Sequence, residues 1–86
     1  MEKRIGAILI IVENKEHIPE LNNILNKHNN IIIGRQGIPL KDKGICIISV
    51  VFEANINEAN SLTGQIGRLK GILVKSLLTK IKNYVC

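Results

Sequence analysis

The chain has 86 residues, 45% of them hydrophobic and only 2% aromatic, with a formal net charge of +5; this describes one small globular domain with an aliphatic core and excludes an intrinsically disordered chain. By size scaling, a domain of this length buries about 60 to 65% of its unfolded surface, so further burial in an oligomer would add materially to stability. Seven basic and seven acidic side chains balance through Glu58, whereas every charged residue after it is basic: Arg68, Lys70, Lys75, Lys80 and Lys82.

Arg4 to Glu13 (RIGAILIIVE) is nearly continuous in apolar and β-branched residues and predicts a strand covered on both faces. Its apolar run, Ile5 to Val12, is too short to span a bilayer and runs into Glu13 instead of a small-residue cleavage site, so a cytosolic protein with no membrane partner is expected. Asn14 or Lys15 opens a helix that continues to about His28, with Pro19 tolerated in its first turn and Ile18, Leu21, Ile24, Leu25 and His28 on one side. Ile31 to Ile38 (IIIGRQGI) reads as a second strand, loosened by Gly34 and Gly37 and stopped by Pro39. After the polar turn Lys41 to Lys43, Gly44 to Glu53 (GICIISVVFE) is a third strand, again apolar on both faces.

A second helix starts near Asn55 to Asn57, either of which supplies a cap, and carries Ile56, Ala59, Leu62, Ile66 and Leu69 inward. Gly71 stands where a C-terminal cap belongs. Ile72 to Leu78 forms the last strand, and residues 79 to 86 form a basic tail or short helix. The order βαββαβ predicts an α+β ferredoxin-like sandwich, a single domain over residues 1 to 78. Its four-stranded antiparallel sheet has the first and third strands in the middle and both helices on one face. Those two strands are apolar on both sides, and nothing in 86 residues is left to cover the second face. An exposed aliphatic face of that kind predicts a homo-oligomer, a dimer at least.

The stretch SLTGQIGRLKG, residues 61 to 71, places three glycines in a helical pattern, each interior one costing roughly 1 kcal/mol against alanine. Gly71 is accounted for by capping. Gly64 and Gly67 lie roughly 150° around from the inward residues, so with Arg68 they mark an outward face open to close approach by another subunit, a partner protein or a small ligand. The stretch lacks the lysine-serine/threonine pair that closes a phosphate-binding P-loop.

The residues form no catalytic set and name no cofactor. His17 and His28 are eleven apart on one helix, Asp42 is the only aspartate and falls in a turn, and Cys46 and Cys86 show neither metal-ligand nor redox spacing. A metal site from His17, His28 and Cys46 would need a coincidence between subunits. Laid over the RNA-recognition motif, the third strand offers Ile45, Ile47 and Val50 where bases would need aromatic platforms, so base stacking of that kind is not expected. The polar residues that stand out are Glu13, Asn14 and Glu16 at the first strand-to-helix turn, and Arg35 and Gln36 within the second strand. They are candidates for effector binding, against capping and helix-dipole roles for Asn14 and Glu16.

Three segments carry a family resemblance over nearly the whole chain: the charged EKR (Glu2 to Arg4) ahead of an apolar strand, Arg35-x-Gly37-x-Pro39, and LTGQIGRLKGILVK (Leu62 to Lys75). With them the chain resembles short, stand-alone ACT-like proteins assigned a regulatory role in the iron-only hydrogenase system. The family is similar in fold to amino-acid-binding ACT domains and to the effector domain of the nickel-responsive repressor. Those relatives oligomerise and bind ligands at subunit interfaces, so the resemblance implies an oligomeric, non-enzymatic regulator, with transcriptional regulation among its roles. The repressor's histidine and cysteine spacings are not reproduced here, and a strand beginning at Arg4 leaves no room ahead of it for a DNA-reading ribbon-helix-helix. The expectation is therefore a module that senses a small molecule or acts on a partner protein. The alternatives are DNA binding through the basic C-terminal part and a purely structural interaction subunit.

Overall fold

Strand signals in the sequence become four strands whose pairing fixes which residues meet. The computed structural model describes residues 2–80. β1 (Arg4–Val12), β2 (Ile32–Leu40), β3 (Ile45–Ala54) and β4 (Ile72–Leu78) form one sheet in the order β2-β3-β1-β4, with every neighbouring pair antiparallel. Helices α1 (Ile18–Lys27) and α2 (Ile56–Gly67) follow β1 and β3, giving the expected βαββαβ arrangement with β1 and β3 central. Of the expected basic tail, residues 81–86, Cys86 among them, lie outside the described residues.

The expected first helix divides in two. Asn14 caps a 3₁₀ turn over Lys15–His17, its side-chain oxygen accepting from the Glu16 N–H at 2.9 Å, and α1 proper starts at Ile18 with Pro19 in its first turn. α2 opens on a complete capping box: Asn55 Oδ1 accepts from the Glu58 N–H (2.8 Å) and Glu58 Oε1 from the Asn55 N–H (3.0 Å). Leu21, Ile24 and Leu25 of α1 and Ala59, Leu62 and Ile66 of α2 are buried against the sheet. Ile56, expected inward, is 41% exposed. At 100° per residue it points about 90° away from the mean direction of Ala59, Leu62 and Ile66, so it flanks the contact instead of entering it.

The core is one aliphatic cluster around Phe52, and Ile8, Ile10, Val12, Ile48, Val50, Ala54 and Ile72 contribute its sheet side. Gly6 faces that side, paired with Phe52 on β3 and Leu78 on β4. A Cβ placed there would lie 2.5 Å from Phe52 Cζ and 2.8 Å from the Leu77 carbonyl oxygen. The glycine in the first strand therefore makes room for the phenylalanine of the third.

β2 carries a bulge that its sequence did not announce. Ile32 pairs with Phe52 but Gly34 pairs with Val51, which leaves Ile33 as the extra residue, 61% exposed. The bulge resets the alternation, so Ile32 turns toward the core while Gly34, Gln36 and Ile38 share the opposite face with Val51, Ser49 and Ile47.

Candidate functional site

The first candidate, the turn after β1, is held by backbone. The N–H groups of Glu13 and Asn14 both donate to the Gly71 carbonyl, at 2.8 and 3.1 Å, and Gly71 has φ +73° with its Cα packed against Asn14. α2 ends at Gly67 with Arg68 as its C-cap, so Gly71, expected as the helix cap, stands instead in the turn before β4, where it supplies the left-handed conformation and the close approach: a side chain there would collide with Asn14 Cβ. Asn14 is thus a capping and packing residue, while the Glu13 and Glu16 side chains are exposed at the surface.

The second candidate pair lies elsewhere. Arg35 pairs with Val50, and Val50 with Ile8, four residues back from the end of β1 and two strands across. Strand spacings of about 3.3 Å per residue and 4.8 Å between strands put its backbone about 16 Å from that of the turn. Arg35 points to the helix side and its Nη2 donates to Asn22 Oδ1 at 3.3 Å, whereas Gln36 points to the opposite face beside Ser49. The five polar candidates therefore occupy three places and form no common pocket.

Gly64, Gly67 and Arg68 are exposed on the helix layer. A Cβ on Gly64 would meet open space. One on Gly67 would lie in ordinary contact, 3.5 Å from Val74 Cγ1, so this glycine flanks β4 instead of pointing directly outward. Neither glycine is sterically required by the described residues. The two histidines are spent on α1: His17, with Nδ1 3.5 Å from Glu20 Oε2, precedes it, and His28, whose Nδ1–H donates to the Ile24 carbonyl at 2.7 Å, ends it. Cys46 lies partly buried against the core, and among the described residues no three His, Cys, Asp or Glu side chains are placed to hold a metal. A cleft of about 260 Å³ between the helices is lined by His28, Asn30, Ile31, Asn57, Glu58 and Ser61. His28, Glu58 and Ser61 already serve local bonds there, Ser61 accepting from Gln65 Nε2 at 3.0 Å.

Among the described residues, what is left uncommitted is the open face of the sheet. Leu9, Ile38, Val51, Leu73 and Leu77 on it are 42 to 69% exposed, with Ile11 and Ile47 half-buried between them. Residues in register form three rows across the sheet: Ile38, Ile47, Ile11 and Leu73; Gln36, Ser49, Leu9 and Lys75; Gly34, Val51, Ala7 and Leu77. Lys75 is the one cation in these rows, standing between two shallow depressions of about 370 and 340 Å³ that share Leu9. The sequence signalled this face only through the doubly apolar β1 and β3. In β4, ILVKSLL, each face mixes apolar and polar residues, so its sequence does not say which side meets the helices. Of the late basic residues, Arg68 caps α2 on the helix layer and Lys75 stands on the open face, so these two do not converge.

The sequence matches, over residues 4–76, the family described as "TM1266-like: Iron-only hydrogenase system regulator, putative". The chain belongs to the TM1266-like family. The structure is similar to that of the uncharacterized protein TM1266 from Thermotoga maritima, with a TM-score of 0.87 and 26% identity over 92% of this chain and all of that one. A protein of unknown function from Galdieria sulphuraria shares the fold at a TM-score of 0.62 and 11% identity, with 95% of this chain spanning about half (48%) of that one. No curated protein matches. No helix among the described residues of this TM1266-like chain is long and apolar enough to cross a membrane.

Proposed function

We propose that this TM1266-like chain is an ACT-like regulatory module of the iron-only hydrogenase system that works by non-covalent association: it self-associates through the open sheet face and senses a small effector. The aliphatic open face carries this reading, because the exposed side chains of Leu9, Ile38, Val51, Leu73 and Leu77 on one sheet face gain more from a protein surface than from water. The family's description supports regulation as the outcome of that association. Action on a partner protein, transcriptional control included, is the second reading, and the exposed Gly64 surface with Arg68 on the helix layer favours it by offering a second place for contact.

Thermal unfolding with and without amino acids, nucleotides and divalent metals at millimolar concentration tests effector sensing. A ligand at a hundred times its dissociation constant stabilises by about 2.7 kcal/mol, and each kcal/mol moves the midpoint of a domain this small by about 4 to 8 °C. A midpoint that rises by that amount with one compound identifies the signal. A flat panel rejects sensing at useful affinity in favour of the protein-partner reading.

A further inference from the structure

Strand register makes the open face complementary to itself in one orientation. A two-fold axis lying between two such faces and parallel to the strands sets β1 of one copy over β3 of the other, and β4 over β2. Row by row, this sets Leu77 over the partner's Gly34, Leu73 over the partner's Ile38, Ile11 over the partner's Ile47, Ala7 over the partner's Val51 and Leu9 over the partner's Ser49. In three of these five pairs a larger side chain meets a smaller one, which is how two sheets interdigitate, and the other two set one branched aliphatic side chain against another. Lys75 then lies over the partner's Gln36, whose amide oxygen accepts from the ammonium. Its long stem takes up the shift of about one residue that an aligned packing angle near −30° introduces at the sheet edges.

The other face-to-face symmetry fails on the same residue. A two-fold axis across the strands, centred on the Leu9 row, sets Lys75 against the partner's Lys75. Centred one row boundary away, it sets the ammonium against the partner's Leu73. The area is sufficient: strands of 9, 9, 10 and 7 residues, at about 3.3 Å per residue and about 4.8 Å between strands, give about 550 Å² per copy, so about 1,100 Å² in all, just above the roughly 1,000 Å² a specific interface must clear. We infer that the open face is the interface of a parallel two-fold dimer of this chain, with Lys75 and Gln36 setting its orientation. This rests on the reading above that the face serves self-association.

Sedimentation of the full chain under reducing conditions tests it, with far-UV circular dichroism to verify that each variant is folded. The wild type is expected at twice its 9.6 kDa chain mass. Gln36→Lys places two cation pairs across the axis and should raise the dissociation constant at least about tenfold, and adding Lys75→Glu should restore it. Lys75 and Gln36 stand on opposite edge strands of one copy, so that rescue acts only between copies. A monomer at about 0.5 mM, a Gln36→Lys dimer as tight as wild type, or a double variant without rescue overturns the proposal. A rescued dimer whose melting point no effector moves upholds this interface and rejects effector sensing instead.

Discussion

Gly6→Ala should destabilise the chain although alanine is ordinarily better placed than glycine within a strand. The added Cβ would lie 2.5 Å from Phe52 Cζ and 2.8 Å from both Phe52 Cε1 and the Leu77 carbonyl oxygen. Carbon atoms pack best at about 3.5 to 4.0 Å, so the ring must retreat by about 1 Å. Phe52 is 1% exposed and enclosed by the cluster, so that retreat displaces neighbours, and the Leu77 carbonyl belongs to the backbone of an adjoining strand. Overpacking of this kind costs about 1 to 3 kcal/mol, against roughly 0.5 to 1 kcal/mol recovered from the lower chain entropy of alanine. A net loss of about 1 to 2 kcal/mol lowers the melting midpoint by roughly 4 to 16 °C. Urea and thermal unfolding at one fixed protein concentration would measure it, because association makes the midpoint concentration-dependent. Phe52→Leu should cost less in the Gly6→Ala background than alone, since the smaller side chain makes room for the methyl group. A Gly6→Ala protein as stable as wild type would refute the claim that this glycine exists to admit the ring.

Gly71→Ala combines a left-handed backbone with a collision at Asn14 and should lose about 2 kcal/mol or more; a melting point unchanged by the substitution would contradict that geometry. Asn55→Ala removes half of the α2 capping box and should lose about 1 kcal/mol in urea unfolding, with Asn55→Asp retaining most of it. Gly64→Ala meets open space and should stabilise by about 0.5 to 1 kcal/mol. A lower midpoint in that variant would mean that another chain approaches the glycine closely.

Residue order alone determined a good deal of this protein. The apolar runs of β1 and β3, the inward residues of α1 and α2 and a helix cap among Asn55 to Asn57 are local signals, because covalent geometry imposes the helix and strand periods wherever the residues lie. The open sheet face was legible too, from two doubly apolar strands. The candidate site was not: Glu13, Asn14 and Glu16 looked like companions of Arg35 and Gln36 only while the distance between the turn and the middle of β2 was unknown. Ile56 was misplaced because an N-terminal helical residue about 90° off the buried direction still fits a loose helical pattern. Pairing decided the rest. That Gly6 must yield to Phe52, that Gly71 abuts Asn14, that Ile33 is extruded from β2, and that Lys75 shares a row with Leu9, Ser49 and Gln36 depends on which distant residues come into register. No local pattern carries that information, since sliding a strand by two residues leaves its alternation intact and changes every neighbour it meets.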